Sequence, residues 1–213
     1  MNKQFIAILI VIVGGLFAVL TLTNKDKPAD QQSGSSSAQP TAHIRGKVDS
    51  KVNLTEYGDF ECPACKAYFP LVDQIVEEYG DRVAFQFRHF PLTQIHANAL
   101  IASRAAEAAG KQNKFFEFHD ILYQQQDNWK TVSDPTSFFE GYATQLSLNI
   151  EQFKADLRSS EASDSINADR KVAQDLGSSS TPTFVLNGKR LETNPTDLEG
   201  FKKLLDEALA QNQ

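Results

Sequence analysis

Cysteine is nearly absent: the chain of 213 residues holds two, Cys62 and Cys65, in one tetrapeptide. That excludes a small secreted domain held by scattered disulfides. It also argues against a stabilising role for the pair, because so short a loop hardly restricts the unfolded chain. Basic residues are outnumbered, 21 against 27 acidic, and no Lys/Arg run occurs, so no electrostatic footprint for nucleic acid exists. The net charge of -6 mainly serves solubility. What is present is a hydrophobic fraction of 41% with 23% charged residues, the balance of a globular protein rather than a disordered one. The length suits one domain of ordinary size plus extensions.

The extensions lie at the N-terminus. Phe5 to Leu22 is unbroken by charge, and about 18 such residues is near the minimum for a helix that spans a bilayer. Lys3 precedes the stretch; Lys25, Asp26 and Lys27 follow it. No small-residue cleavage site comes after it, and no cysteine lies nearby to carry a lipid. The expectation is an uncleaved anchor over residues 1–24, with a cleaved signal peptide as the alternative. Residues 25–42 are rich in Ser, Gln, Asp and Pro, too polar to bury a core, and are expected to be a disordered linker. The folded domain is expected over 43–213.

Inside that domain, Val52 to Tyr57 alternates apolar and polar as a strand does. Tyr68, Val72, Ile75, Val76 and Tyr79 recur at helical spacing, and Gly80 ends the helix. Val83 to Arg88 reads as a second strand. Strand, helix, strand in that order implies parallel pairing. From about residue 93 to 177 the patterns are helical: an alanine stripe at Ala99, Ala102, Ala106 and Ala109, then faces led by Phe115, Phe139, Phe153 and Ile166. Thr183 to Leu191 reads as a hairpin turning at Asn187-Gly188, and Leu198, Phe201, Leu205 and Leu209 as a closing helix. The expected fold class is α/β: β-α-β, a block of helices, then β-β-α.

Cys62-Pro63-Ala64-Cys65 falls between the first strand and its helix. Pro63 suits a first helical turn, where no N–H partner is needed. Cys62 then sits at the helix N-terminus, where free amides and the helix dipole favour a thiolate. Such positions lower a cysteine pKa from about 8.5 to roughly 3.5–7.5. Cys65, one turn in, can close on Cys62 and is expected to be less exposed. The reading is that Cys62 makes the mixed disulfide and Cys65 resolves it. Zinc would need two more ligands, and His43, His89, His96 and His119 show no suitable pairing distance. Asp59 and Glu61 are expected to be surface charges, which would raise the Cys62 pKa. His89 and His96 read as structural, and Trp129 as core.

Three segments together carry a resemblance: Glu56-Tyr57-Gly58-Asp59-Phe60-Glu61-Cys62-Pro63-Ala64-Cys65, Arg88-His89-Phe90-Pro91-Leu92, and Ser180-Thr181-Pro182-Thr183-Phe184. With the helical block between the halves, the chain resembles the thioredoxin superfamily. It is similar to its DsbA-like branch, and most to the membrane-anchored extracytoplasmic members. That resemblance implies a thioredoxin fold with a helical insertion over about 93–177 and a redox-active disulfide between Cys62 and Cys65. It implies a cis-proline at Pro182, with the substrate peptide against Thr181, Pro182, Pro63 and Ala64. Glu56 matches the family's buried acid that assists proton transfer at the inner cysteine; an ordinary strand residue is the plain alternative. Ala64 departs from the best-known oxidase, which has a thiolate-stabilising His there, so the implied oxidising power is smaller. The resemblance further implies no metal or organic cofactor, exported cysteine-containing proteins as substrates, and a DsbB- or VKOR-type membrane reoxidant. A reductase, an isomerase, or a non-catalytic chaperone on the same fold remains an alternative reading.

Overall fold

The computed structural model describes residues 38–212; the expected anchor and most of the expected linker lie outside them. Among the described residues no helix is long and apolar enough to cross a membrane. Five strands form one sheet in the order β1-β3-β2-β4-β5: β1 (His43–Gly46), β2 (Asn53–Gly58), β3 (Ala84–His89), β4 (Thr183–Leu186) and β5 (Lys189–Arg190). β2 and β3 pair in parallel and every other pairing is antiparallel. The parallel pair follows from the crossover through α1 (Pro63–Tyr79). The hairpin turns where expected, with Asn187 at φ 50° and Gly188 at φ 80°, the left-handed pair a type I′ turn requires.

The hydropathy pattern does not predict β1. It is four residues long, with none of them fully buried, so it carries no alternation to read. Gly80 ends α1 with a right-handed φ of -62°, not the left-handed cap expected of a glycine there. The close approach of β1 to the end of α1 instead requires Gly46, at φ 82°, where a Cβ would come within 2.5 Å of the Val83 carbonyl and 3.1 Å of the Gly80 Cα.

Side-chain alternation splits the sheet into two faces. On one, Leu54 and Glu56 stand level with Phe85, Phe87, Phe184 and Leu186. This face packs into the main core with α1 and the closing helix α8 (Leu198–Ala210), where Phe201 meets Phe184 at 5.0 Å between ring centroids. The helical block supplies the rest of that core: α2 (Ala99–Gly110), α3 (Phe115–Gln124), the one-turn α4 (Gln126–Trp129), α5 (Thr136–Gln145) and α6 (Ile150–Leu157). Six alanines of α2 are buried, so the expected small-residue stripe serves close helix contact.

The other face carries Tyr57, Phe90 and Val185 against Ala173 of α7 (Ser160–Asp175). Asp169 of α7 is wholly buried and ties three segments together. Its carboxylate accepts the Thr41 amide at 2.9 Å, the His89 amide at 3.0 Å and the Arg88 guanidinium at 3.3 Å. The Thr41 hydroxyl donates as well. Removing a partner from such a buried charge leaves donors and a cation uncompensated. Asp169→Ala is therefore expected to cost roughly 3–5 kcal/mol, measured by chemical denaturation of oxidised protein. A loss under about 1 kcal/mol, the size of a surface effect, would show that Asp169 is not the tie between these segments.

Candidate active site

The site is built where β2 runs into α1. β2 ends at Gly58, the chain turns through Asp59-Phe60-Glu61, and Cys62 caps α1 with Pro63 in its first turn. Cys62 is 7% exposed and Cys65 is wholly buried, so the outer and inner sulfurs are told apart by access. Both are free thiols here, so the structure shows the reduced form of the pair rather than the expected bond. Pro63 and Ala64 are exposed beside the sulfur. Across from them the Thr181–Pro182 bond is cis, and the Cys62 thiol donates to the Thr181 carbonyl at 3.5 Å. The expected site residues thus come together in one place.

The two thiols are driven apart in acidity. The Cys62 thiol falls from its ordinary 9.0 to about 5, chiefly through the hydrogen bond from the Cys65 thiol. Burial opposes this, while the Thr181 side chain and the Cys65 and Ala64 amides assist. The helix terminus therefore contributes, but the inner thiol contributes more. Cys65 moves the opposite way, pushed well above its ordinary value by burial first and then by its bond to Cys62. One partner amide, Asp59 N–H, points at its sulfur from 3.5 Å.

Glu56 is buried, not a solvent-facing strand residue. It stands level with Phe87 on one side and Phe184 on the other, both wholly buried. That apolar row explains why burial, with Cys62 adding charge repulsion, raises its carboxyl from 4.5 to about 8. At neutral pH it holds a proton.

Asp59 corrects the expectation of a surface charge. It is wholly buried, accepting the Glu61 amide at 2.8 Å, the Leu92 amide at 2.8 Å and bonding His96 Nδ1 at 2.7 Å. Glu61 is half-buried and accepts the Asn98 amide at 2.6 Å. The two acids fasten the cysteine turn to the segment after β3. Gln126, unremarkable in sequence, is wholly buried and donates to the carbonyls of Phe60 at 2.8 Å and Cys62 at 3.0 Å. Only its place on α4, brought over the turn by the helical block, reveals this contact. Trp129 is wholly buried, as expected of core.

One His/carboxylate cluster among the described residues is spaced to hold an ion: His43, His89 and Glu107, without either cysteine. Both Nε2 atoms already lie on one Glu107 oxygen, at 2.6 and 2.7 Å. Burial would raise the Glu107 carboxyl, but the two imidazole hydrogen bonds outweigh it and hold it at about 2. To bind a metal, each Nε2 would pass its proton to Nδ1, and the buried His89 Nδ1 has no partner to accept it. The cluster fits a clamp between β1, β3 and α2.

Comparison with known proteins agrees with this geometry. The thioredoxin family profile, described simply as Thioredoxin, matches residues 38–207. The chain belongs to this thioredoxin family. Its fold is that of the DsbA-like thiol–disulfide oxidoreductases. Oxidised BdbD from Bacillus subtilis superposes with a TM-score of 0.69 at 24% identity, covering 82% of this chain and 97% of that one. The α-DsbA1 of Wolbachia pipientis gives 0.69 at 23% identity over 81% of this chain and 92% of its own. A thioredoxin-like oxidoreductase from Silicibacter pomeroyi DSS-3 gives 0.67 at 24% over 82% and 95%. Among curated proteins, the Na(+)/H(+) antiporter NhaA 1 of Mycobacterium sp. (strain KMS) is 39% identical over 166 residues, 77% of this chain. This thioredoxin-family chain spans only 26% of the length of that relative.

Proposed function

We propose that this chain is a thiol–disulfide oxidoreductase that works as an oxidase, passing its Cys62–Cys65 disulfide to cysteine thiols of exported proteins. The observation that carries the reading is the split between the sulfurs: a Cys62 at the surface edge, 7% exposed and held at about 5, beside a wholly buried Cys65 pushed upward. A stabilised thiolate favours the reduced pair, and a couple whose reduced form is stabilised is an oxidant. It also makes Cys62 the sulfur that leaves most readily.

The steps follow from access. A substrate thiolate attacks Cys62 Sγ; the Cys62–Cys65 bond breaks and its electron pair goes to Cys65, which takes a proton. A second substrate thiolate attacks the substrate sulfur of the mixed disulfide. Cys62 leaves as a thiolate, the substrate is oxidised by two electrons, and the enzyme is left reduced. Thr181, Pro182, Pro63 and Ala64 border Cys62 and are assigned to the substrate backbone. Glu56 is assigned the proton exchange with Cys65.

The compartment is part of the proposal. Disulfides persist outside the cytosol, and the uncharged stretch Phe5 to Leu22 supports a single N-terminal membrane anchor. The spacer after it is shorter than the expected 25–42, because Thr41 is buried and fastened to Asp169 within the domain. Reoxidation is assigned to a quinone-linked membrane partner of the DsbB or VKOR type. The antiport in the name of the longer relatives is theirs; this chain matches about a quarter of their length.

Equilibration of the full chain against glutathione tests the direction of electron flow. The oxidase reading expects a midpoint above roughly -200 mV, on the oxidising side of the glutathione couple. A midpoint near about -270 mV, where thioredoxin lies, would make the chain a reductase instead.

A further inference from the structure

The Tyr123 hydroxyl has no place in the exchange chemistry above, although α3 carries it into the redox site. Tyr123 is 1% exposed, and its hydroxyl has no hydrogen-bond partner among the described residues. The same holds for Glu56 Oε1, in a side chain 2% exposed. Buried polar atoms without partners are few in folded proteins, and each asks for a reason. Here the two are out of hydrogen-bond reach but within electrostatic reach, and the Tyr123 hydroxyl feels the charges of both Cys65 and Glu56. Glu56 and Gly58 point to the same face of β2, two residues apart. A Cβ on Gly58 would sit 2.5 Å from the Phe87 ring and 3.0 Å from the Tyr123 hydroxyl oxygen, so the ring and the hydroxyl share the space that this glycine leaves open. The next residue, Asp59, donates its amide to the Cys65 sulfur. The hydroxyl is therefore set between the face carrying the Glu56 carboxyl and the turn that holds the inner thiol.

We propose that Tyr123 is a positioning residue that carries the proton exchanged between Glu56 and Cys65. The inference rests on the exchange reaction proposed above. When Cys65 attacks the mixed disulfide on Cys62, a bond forms between the two enzyme sulfurs and the substrate leaves as a thiolate. The Cys65 proton passes to the Tyr123 oxygen while the Tyr123 proton passes to Glu56, each across one bridging water, and the acceptor is the ionised fraction of a carboxyl held at about 8, a minority at pH 7 that grows as pH rises. In the opposite direction Glu56 returns the proton to Cys65 by the same route, and no oxidant is needed beyond the disulfide itself.

The surroundings leave this route distinct. The ionisable groups facing the pair are Cys62 and Cys65 of α1, Asp59 of the turn, Tyr68 of α1 and His119 of α3. Asp59 is already committed to His96 and two amides. His119 is held by burial at about 4 and spends Nδ1 on Asp120. Tyr68 shows an upward shift from burial first and Glu56 second, so it adds no acid to the route at neutral pH.

The test uses the full chain loaded with glutathione on Cys62, and follows glutathione release by Cys65 across pH. Wild type, Tyr123→Phe, Glu56→Gln and the double variant are compared. Tyr123→Phe removes a hydroxyl without a protein partner, so its unfolding midpoint is expected to equal that of wild type. Release should slow about tenfold or more near pH 7, within the range of lost acid–base assistance, and recover as rising pH ionises Cys65 without help. Glu56→Gln should slow release in the same pH range, and the double variant should be no slower than Glu56→Gln. Wild-type release by Tyr123→Phe at every pH, or losses that multiply in the double variant, would overturn the inference. Failure of Cys62 to form the glutathione adduct would instead overturn the exchange reaction.

Discussion

Cys62→Ala is expected to lose disulfide transfer altogether, down to the uncatalysed background, in a refolding assay with a reduced substrate that needs disulfides. The variant should still fold: the lost sulfur is at the surface end of α1, and its contacts are with the Cys65 thiol and the Thr181 carbonyl. Nothing else can replace it. Cys65 is wholly buried, its thiol is held protonated, and a thiol rather than a thiolate is a poor nucleophile. Cys65→Ala should behave in the opposite way. Cys62 keeps its access, forms the mixed disulfide with oxidised partners, and has no second sulfur to release them, so covalent adducts accumulate on non-reducing gels. A chaperone on the same fold would lose neither activity. Full refolding activity in Cys62→Ala would therefore move the chain out of the oxidoreductases, whatever its fold.

The parts of this site that were legible in the sequence are those whose physics is local. Pro63 after Cys62 places a helix start, and a helix start places free amides at a sulfur. Glu56 was legible only through the resemblance, which implies a buried acid there; the strand pattern alone left a solvent-facing residue as the alternative. The Asn187-Gly188 turn depends on two adjacent residues, so it was readable too. What was not legible depends on residues far apart in sequence. Asp59 looked like a surface charge because the groups that satisfy it, Leu92 and His96, arrive from beyond β3. Gln126 reaches the Cys62 carbonyl across 64 positions, from a helix of one turn. Asp169 reaches back 128 positions to Thr41. β1 has no alternation because it is a short edge strand, and short edges give few residues to pattern.

These long-range ties also explain why the helical block interrupts the two halves of the sheet at this point in the chain. It brings Gln126 onto the carbonyls of the cysteine turn and Tyr123 over Gly58. The difference in acidity on which the exchange depends is set mainly within the βαβ unit, by the Cys65 hydrogen bond and the first amides of α1 acting on Cys62 and by burial of Cys65.

Titration of the reduced protein by thiolate absorbance is expected to show one group with a midpoint near pH 5, the value held at Cys62. Cys65 should remain protonated through neutral pH, since burial and its bond to Cys62 keep it well above its ordinary value. The consequence for the redox couple has a definite sign. Below about pH 5, reduction takes up two protons with two electrons, and the midpoint falls about 59 mV per pH unit. Above it Cys62 stays ionised, one proton is taken up, and the slope halves to about 30 mV per unit. The same shift makes the stability of the reduced form depend on pH. The folded pKa is depressed below the unfolded value of 9.0, so the contribution is fully present above pH 9 and is lost as pH falls through about 5. The disulfide form has no such group and should show no matching loss. Reduced protein should therefore gain on oxidised protein as pH rises between those limits, which is the direction an oxidase requires. A single slope of about 59 mV per unit up to pH 8, with no thiolate signal at neutral pH, would show that Cys62 titrates like a free cysteine. The leaving-group argument for disulfide transfer would then have no physical basis.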